Sequence, residues 1–228
     1  EMTCPNFLAA DSVSKVYGSS TASHEALRGV SFSAEEGDFV AIRGPSGCGK
    51  STLLHILGAM DRPTSGQVWL KERRIDTLAA DELAIVRRRQ IGYIFQAFNL
   101  LPTLSVQENV ALPLLLDGVS ERRSADRAVA ALADVGLQDR RHHFPSQLSG
   151  GEMQRAAIAR GLAIEPDVVI ADEPTGSLDS LNGRRVLELL AELNSARRMT
   201  VLMATHSEEA AAFASRVVHI KDGQLDKE

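Results

Sequence analysis

One glycine-rich stretch of the chain has the residue types and spacing of a phosphate-binding loop. "GPSGCGKST" begins at Gly44 and fits the pattern G-x-x-x-x-G-K-[ST]. It lies between an apolar run, "FVAIR", and a helical pattern, "STLLHIL", which predicts a loop joining a strand to a helix. Backbone N–H groups of such a loop surround a polyphosphate, and the helix presents its positive N-terminal end. A glycine turn without a ligand is the simpler alternative.

Side-chain chemistry predicts the roles within this loop. Lys50 carries a charge suited to β- and γ-phosphates, and the Ser51 hydroxyl is an oxygen ligand suited to Mg²⁺. The residues predicted to contact the phosphates or the ion are Gly44, Pro45, Ser46, Gly47, Cys48, Gly49, Lys50, Ser51 and Thr52.

Three further apolar runs end in residues that can take part in hydrolysis. "VVIADEP" ends in Asp172 and Glu173, and adjacent like charges at the end of a buried strand favour a bound cation. Asp172 is therefore the predicted Mg²⁺ ligand and Glu173 the predicted base for water. "TVLMATH" ends at His206, a candidate phosphate contact, and "IGYIF" precedes Gln96, a candidate contact to Mg²⁺ or water. Without the phosphate loop, both would be ordinary strand-end residues.

A second helix start contains two glycines that its local structure does not require. In "LSGGEMQRAAIAR", Ser149 and Glu152 form the S-x-x-E capping box that begins a helix. Gly150 and Gly151 are unfavourable for a helix, but they allow an anion to approach its N-terminal N–H groups. One nucleotide can meet both this segment and the phosphate loop if a second copy of the chain supplies one of them.

The elements that must position these residues alternate along the chain. β-branched runs followed by longer helical patterns predict an α/β fold with a mostly parallel sheet flanked by helices. The first 37 residues and "SGQVWLKERRI" have short alternating strands, which indicate a small antiparallel sheet beside the main one. We expect one domain over residues 1–228, with a core of about 1–96 and 162–228 and a helical insert of about 97–161.

Composition restricts the function classes. The chain has 228 residues, is 44% hydrophobic and has a formal net charge of -5, so the broad positive field of a nucleic-acid-binding protein is missing. Two cysteines, Cys4 and Cys48, are too few for a disulfide framework or a zinc site, which indicates a reducing, cytosolic compartment. The longest apolar run, "VALPLLL", is shorter than the roughly 20 residues that cross a bilayer.

Together the motifs resemble the nucleotide-binding subunit of an ABC transporter. "GPSGCGKS", "LSGGEMQR" and "VVIADEP" occur in the order of that family, with "SLD" ending at Asp179 and the strand-end Gln96 and His206, over almost the whole chain. The resemblance implies a P-loop NTPase fold, ATP and Mg²⁺ as ligands, and ATP hydrolysis that drives membrane subunits. It also implies a head-to-tail homodimer in which Ser149, Gly150, Gly151 and Glu152 contact the ATP held by the partner.

The same resemblance implies further contacts and partners. Tyr17 in "VSKVYG" would stack on adenine, with a plain surface tyrosine as the alternative, and Asp179 would cross the dimer interface. Transmembrane permease subunits would hold the protein on the cytoplasmic face of the membrane. Their predicted docking segment contains Phe98, Leu100, Leu101 and Leu104, for which ordinary packing of the helical insert is the alternative.

The branch of the family is indicated by "EPTGSLD" and "SVQENVALPLLL". Both resemble the macrolide-efflux and lipoprotein-release (MacB/LolD-like) branch, although Asn is more usual there in place of Ser177. A soluble ATPase of the same fold in an assembly or scaffold complex, such as iron–sulfur cluster biogenesis or cell division, is the alternative function. DNA-repair and translation relatives are disfavoured by the negative net charge.

Overall fold

The main sheet is built from five parallel strands and a short antiparallel edge strand. The computed structural model describes residues 7–19 and 22–226, so Cys4 lies outside the described residues. Across the main sheet of this part of the chain, the strands are β10 (Gln224–Leu225), β9 (Arg216–Lys221), β3 (Phe39–Arg43), β8 (Thr200–Thr205), β7 (Val168–Asp172) and β6 (Ile91–Ile94). Strands β9 to β6 run parallel and β10 pairs antiparallel with β9.

Four strands from the N-terminal part of the chain form a separate antiparallel sheet. Its order is β2 (Ala22–Ala34), β1 (Leu8–Ser19), β4 (Ser65–Leu70) and β5 (Arg73–Arg74). This is the small antiparallel sheet that the sequence pattern predicts.

Helices connect the parallel strands. They are α1 (Lys50–Leu57), α2 (Ala80–Gln90), α3 (Val106–Leu116), α4 (Glu121–Asp134), α5 (Gly150–Leu162), α6 (Ser180–Arg197) and the short α7 (Glu208–Ala211). Side-chain oxygens cap four of these helices at the N-terminus: Ser105 for α3, Ser149 for α5, Asp179 for α6 and Ser207 for α7. Residues 97–161, all of which are described, contain helices and turns but no strand.

Successive side chains of a strand point to opposite faces of the parallel sheet, and both faces are buried. In β3, Phe39 and Ala41 join an apolar cluster that also contains side chains from α3, α4, α5 and α6. Val40 and Ile42 join a second cluster, formed with α1, α2 and the antiparallel sheet. The helical segment therefore packs against one face of the sheet and shares its core.

The carboxyl ends of the strands meet at one edge of the sheet, where ligands bind in open α/β folds. Arg43 at the end of β3 pairs with Thr205 of β8, and Asp172 at the end of β7 pairs with Ala204. The residues that follow these strands are thereby brought to the same edge. Among the described residues, no helix is long and apolar enough to cross a membrane.

Candidate functional site

The phosphate loop, residues 44–52, joins β3 to α1 and is shaped by a glycine that no other residue could replace without strain. Gly49 has φ 109°, and a Cβ there would lie 2.6 Å from the carbonyl oxygen of Ala26. This conformation begins α1 at the next residue. The N-terminus of an eight-residue helix therefore faces the carboxyl edge of the sheet.

Lys50 is held inside the loop by the loop's own carbonyl groups. Its side chain is 7% exposed, and Nζ donates hydrogen bonds to the carbonyl oxygens of Gly44 at 2.9 Å and Pro45 at 3.0 Å. Nζ also lies 3.9 Å from Oε1 of Glu173. The cation is thus positioned between the loop and an acidic side chain, where an added phosphate would offer a stronger acceptor.

Two oxygen ligands suited to a hard cation meet beside this lysine. The Ser51 hydroxyl donates to Oδ1 of Asp172 at 3.0 Å, which joins the start of α1 to the end of β7. Within the described residues no group of three or more His, Cys, Asp or Glu side chains could hold a metal by itself. A cation here would therefore depend on hydroxyl, amide and phosphate oxygens as well, a donor set that suits Mg²⁺.

Glu173 is fixed in an uncommon backbone conformation immediately after β7. Its φ is 47°, and its N–H donates to the carbonyl oxygen of Ala204 at 3.1 Å. Oε2 lies 2.9 Å from Nδ1 of His206, whose side chain is 68% exposed. The carboxylate is mostly buried between a lysine and an imidazole, a position from which it can accept a proton from water.

Lys50, Ser51, Glu173 and His206 line one cavity of about 670 Å³, whereas Gly44, Pro45, Cys48 and Asp172 are not among its lining residues. Its walls are formed by Tyr17, His24, Ala26, Ser46, Gly47, Gly49, Lys50, Ser51, Thr52, Gln96, Glu173 and His206. Sequence reasoning missed His24 and Ala26, which reach the cavity because β2 pairs with β1. The volume is within the range of ligand-binding pockets.

Tyr17 is anchored at one end of this cavity by a residue that the sequence did not single out. Its hydroxyl donates to Oδ2 of Asp61 at 2.9 Å, while Nζ of Lys15 donates to Oδ1 at 2.7 Å. The same Nζ lies 4.9 Å from the centre of the Tyr17 ring. Burial and then the bond to Asp61 raise the pKa of the Tyr17 hydroxyl. The ring is therefore held as a neutral phenol beside the cavity.

Comparison with known proteins assigns the chain to a family. Residues 27–176 match the family model described as ABC transporter. The chain belongs to the ABC transporter family. It is 47% identical to an uncharacterized ABC transporter ATP-binding protein of Methanocaldococcus jannaschii, over 96% of this chain and 97% of that one. The lipoprotein-releasing system ATP-binding protein LolD of Syntrophus aciditrophicus is 45% identical, over 88% of this chain and 90% of its own length.

Longer relatives and solved structures extend this likeness. The macrolide export ATP-binding/permease protein MacB of Hyphomonas neptunium is 44% identical, but this chain, matched over 97%, spans 34% of it. A dimeric structure of the ATP-binding cassette MJ0796, bound to ADP and Pi after hydrolysis, superposes with a TM-score of 0.88 at 41% identity, covering 96% of this chain and 97% of that one. The predicted fold class, the ABC transporter ATPase class and the likeness to the MacB/LolD branch are confirmed.

Ser149 and the two glycines that follow it are not among the residues that line this cavity. Ser149 begins α5 by accepting a hydrogen bond from the N–H of Glu152 at 3.3 Å, as the capping box predicts. Gly150 follows it, and a Cβ on Gly151 would lie 2.7 Å from Oδ1 of Asn182, so packing against α6 already favours glycine there. The sequence prediction that both glycines serve a nucleotide stays a prediction.

Asp179, the remaining residue predicted for the ATP site and the dimer interface, caps the N-terminus of α6. Its carboxylate accepts hydrogen bonds from the backbone N–H of Asn182 at 2.9 Å and from its side-chain amide at 2.7 Å. These two bonds hold the pKa of Asp179 below its ordinary value. The side chain is thus fixed as an anion at the N-terminus of the helix, outside the residues that line the cavity.

Proposed function

We propose that this chain is the ATP-hydrolysing subunit of a transporter in which two copies associate head to tail around two ATP molecules. One juxtaposition carries the proposal: Lys50, Ser51 and Glu173 line one cavity, whereas exposed Ser149 begins a helix elsewhere on the surface. A second copy would supply its Ser149 to the open side of that cavity. The solved structure of MJ0796 bound to ADP and Pi is itself dimeric, which supports this arrangement.

The hydrolytic step assigns distinct roles to the residues at the strand ends. A water oxygen attacks the γ-phosphorus, its proton passes to Glu173, and the bond to the bridging oxygen breaks to release ADP and phosphate. Lys50 stabilises the charge on the β- and γ-phosphates. His206, 2.9 Å from Glu173, orients that carboxylate, and Gln96 contacts the water or the cation.

Three oxygen-bearing residues of this edge would hold Mg²⁺ with the nucleotide. They are Ser51 and Asp172, which already meet at 3.0 Å, and Gln96 in the cavity wall. When bound, the ion neutralises charge on the phosphate oxygens.

The remaining contacts to ATP come from residues around the cavity and from residues on the partner's surface. Tyr17 stacks on adenine, while the loop from Gly44 to Thr52 surrounds the phosphates. Ser46, Gly47, Cys48 and Gly49 contribute their backbone N–H groups, whereas Pro45 has none and its carbonyl oxygen accepts from Nζ of Lys50 at 3.0 Å. From the partner, Ser149, Gly150, Gly151 and Glu152 approach the γ-phosphate, and Asp179 couples the two sites.

We infer that permease subunits dock beside residues 97–161, which we take as a helical subdomain. Leu101 is 45% exposed in the turn before α3, and an exposed leucine beside partly exposed Phe98, Leu100 and Leu104 suits an apolar partner. The subunit would reach the cytoplasmic face of the membrane only through that permease. Purification with an integral membrane protein separates this function from that of a soluble assembly complex.

Replacing Glu173 by Gln tests the ATPase and the dimer together. The amide keeps the shape of the side chain but cannot take the proton, so we expect turnover to fall by roughly 10²-fold or more while ATP binding remains. ATP with Mg²⁺ should then convert the variant to a stable dimer in size-exclusion chromatography with light scattering. Glu208→Gln, an exposed change near the same edge, is the matched control. A monomer of Glu173→Gln at saturating ATP and Mg²⁺ contradicts the proposal.

A further inference from the structure

The Glu152 carboxylate of the capping box is shared between Ser149 and a second side chain. Oε2 accepts from the Ser149 backbone N–H at 2.9 Å and lies 2.8 Å from the Ser149 hydroxyl. Oε1 faces Nε of Arg140 at 3.3 Å. Hydrogen bonds from the Ser149 backbone and hydroxyl, together with Arg140, hold the pKa of Glu152 below its ordinary value. The carboxylate is therefore an anion with a different donor on each oxygen.

These contacts fix the direction of the Ser149 hydroxyl proton. The hydroxyl oxygen accepts from the Glu152 N–H at 3.3 Å. An ionised carboxylate can only accept, so the hydroxyl must donate to Oε2. In the free subunit this proton is therefore engaged within the chain. It can reach a phosphate on a partner subunit only if the bond to Glu152 weakens or breaks.

Arg140 lies where it can change how strongly the Glu152 carboxylate binds the Ser149 hydroxyl proton. Its Nε contacts Glu152, and its Nη1 lies 3.3 Å from Nε2 of His143, so the guanidinium is held from two sides. Because arginine has no acceptor, His143 Nε2 is the acceptor in that contact. The next residue, Arg141, donates from Nε to Nε2 of His142 at 3.0 Å, whereas the contact to Glu152 is made by Arg140.

We propose that Arg140 is a positioning residue that draws the Glu152 carboxylate away from the Ser149 hydroxyl and offsets its charge, so that the hydroxyl can turn to the ATP of the partner subunit. The inference rests on the proposed head-to-tail dimer. Without Arg140, the Glu152 charge would act on the serine proton alone and would repel the approaching γ-phosphate. Both effects oppose closure of the dimer.

The test measures the ATP concentration that gives half-maximal dimerisation, with Glu173→Gln as the parent in which hydrolysis is removed. Arg140→Ala should raise that concentration about fivefold, because the Glu152 charge is then no longer offset as the partner's ATP approaches, an effect of the size of one partly exposed ion pair. Arg140→Lys should recover part of the loss, and Arg141→Ala should match the parent. Affinity for ATP at protein concentrations that keep the chain monomeric, and the melting temperature, should not change with Arg140→Ala.

The decisive comparison repeats Arg140→Ala in a chain that also carries Glu152→Gln. The neutral amide neither competes as strongly for the serine proton nor repels phosphate, so removing Arg140 there should shift dimerisation by less than about twofold. An equal shift in both backgrounds, or a loss with Arg141→Ala of the same size, overturns the inference. If the parent dimerises and Arg140→Ala matches it, only the role of Arg140 fails. If the parent never dimerises with ATP, the proposed function fails as well.

Discussion

At the residue scale, Asp61 shows how one side chain outside the known motifs can shape the nucleotide cavity. It binds the hydroxyl of Tyr17 and the ammonium of Lys15, and that ammonium lies over the Tyr17 ring. Burial alone would raise the pKa of Asp61, but the bonds from Lys15, the Arg62 backbone and Tyr17 together hold it below its ordinary value. Asp61 is therefore an anion whose charge keeps Lys15 against the ring.

Replacing Asp61 by Asn should loosen this arrangement without removing the ring. The amide can still accept from Tyr17, but it no longer attracts Lys15, so the ring loses part of its fixed orientation. We expect KM for ATP to rise roughly threefold to tenfold with kcat nearly unchanged, because adenine contributes mainly to binding. Steady-state ATPase assays check this, with Asp11→Asn in β1 as the control. An unchanged KM would show that Asp61 does not hold Tyr17 for binding.

Some residues of the candidate site could be predicted from the sequence, and others could not. Lys50 and Ser51 could be predicted from the phosphate-loop pattern, and Asp172 and Glu173 from their place at the end of an apolar run. Asp61 was not predicted, because only the folded chain brings it to Tyr17. Contacts of that kind depend on strand pairing and loop paths, which side-chain chemistry along the chain does not encode locally.

At the element scale, the hairpin of β4 and β5 depends on a buried carboxylate. Asp76 accepts hydrogen bonds from Arg74, from Nε at 3.1 and 3.2 Å and from Nη2 at 2.9 Å, and another from the Val68 N–H at 2.9 Å. Burial alone would raise the pKa of Asp76, but these bonds hold it below its ordinary 3.8. The stability that Asp76 contributes is therefore full above pH 3.8 and is lost as the pH falls through the lower folded value.

Asp76→Asn should remove this contribution and its pH dependence. We expect the free energy of unfolding at neutral pH to fall by about 1–3 kcal/mol, because charge-assisted bonds at a largely buried site are lost. At about pH 3, below the ordinary value of 3.8, the unfolded chain binds a proton at Asp76 more readily than the folded protein does, so the difference in unfolding free energy between the two proteins should narrow. Urea unfolding at both pH values measures the difference. Glu72→Gln in the turn of the same hairpin is the control, and a gap that stays constant with pH would contradict the assignment.

The helices and strands could be predicted where burial gives the sequence a clear pattern of apolar residues, and not elsewhere. Apolar runs such as that of β3 predicted the parallel sheet because both faces of that sheet are covered. The edge hairpin of β9 and β10 was not predicted: β10 has two residues, too few to show an alternating pattern. Its turn did carry a signal, since Asp222 and Gly223 both adopt positive φ, at 49° and 77°.

At the scale of the whole molecule, the proposed dimer divides each ATP site between two chains. One chain supplies the phosphate loop with Lys50, and the other supplies Ser149. A chain with Lys50→Ala should lose its own phosphate loop but keep a usable Ser149 for its partner. A chain with Ser149→Arg should have the opposite defect, because the bulky side chain blocks the partner's ATP and leaves its own loop intact. Each variant alone should be nearly inactive.

Mixing these two inactive variants should therefore restore hydrolysis. In a mixed dimer one site combines both defects, while the other combines the intact Lys50 loop with the intact Ser149. At equal concentrations about half of the dimers should be mixed, each with one intact site, so activity should approach roughly a quarter of wild type if the sites act independently. The ATPase rate is measured against mixing ratio, with Lys50→Ala combined with wild type as the reference. If Ser149 served the loop of its own chain, no intact site could form, and activity would stay at the level of the separate variants at every ratio.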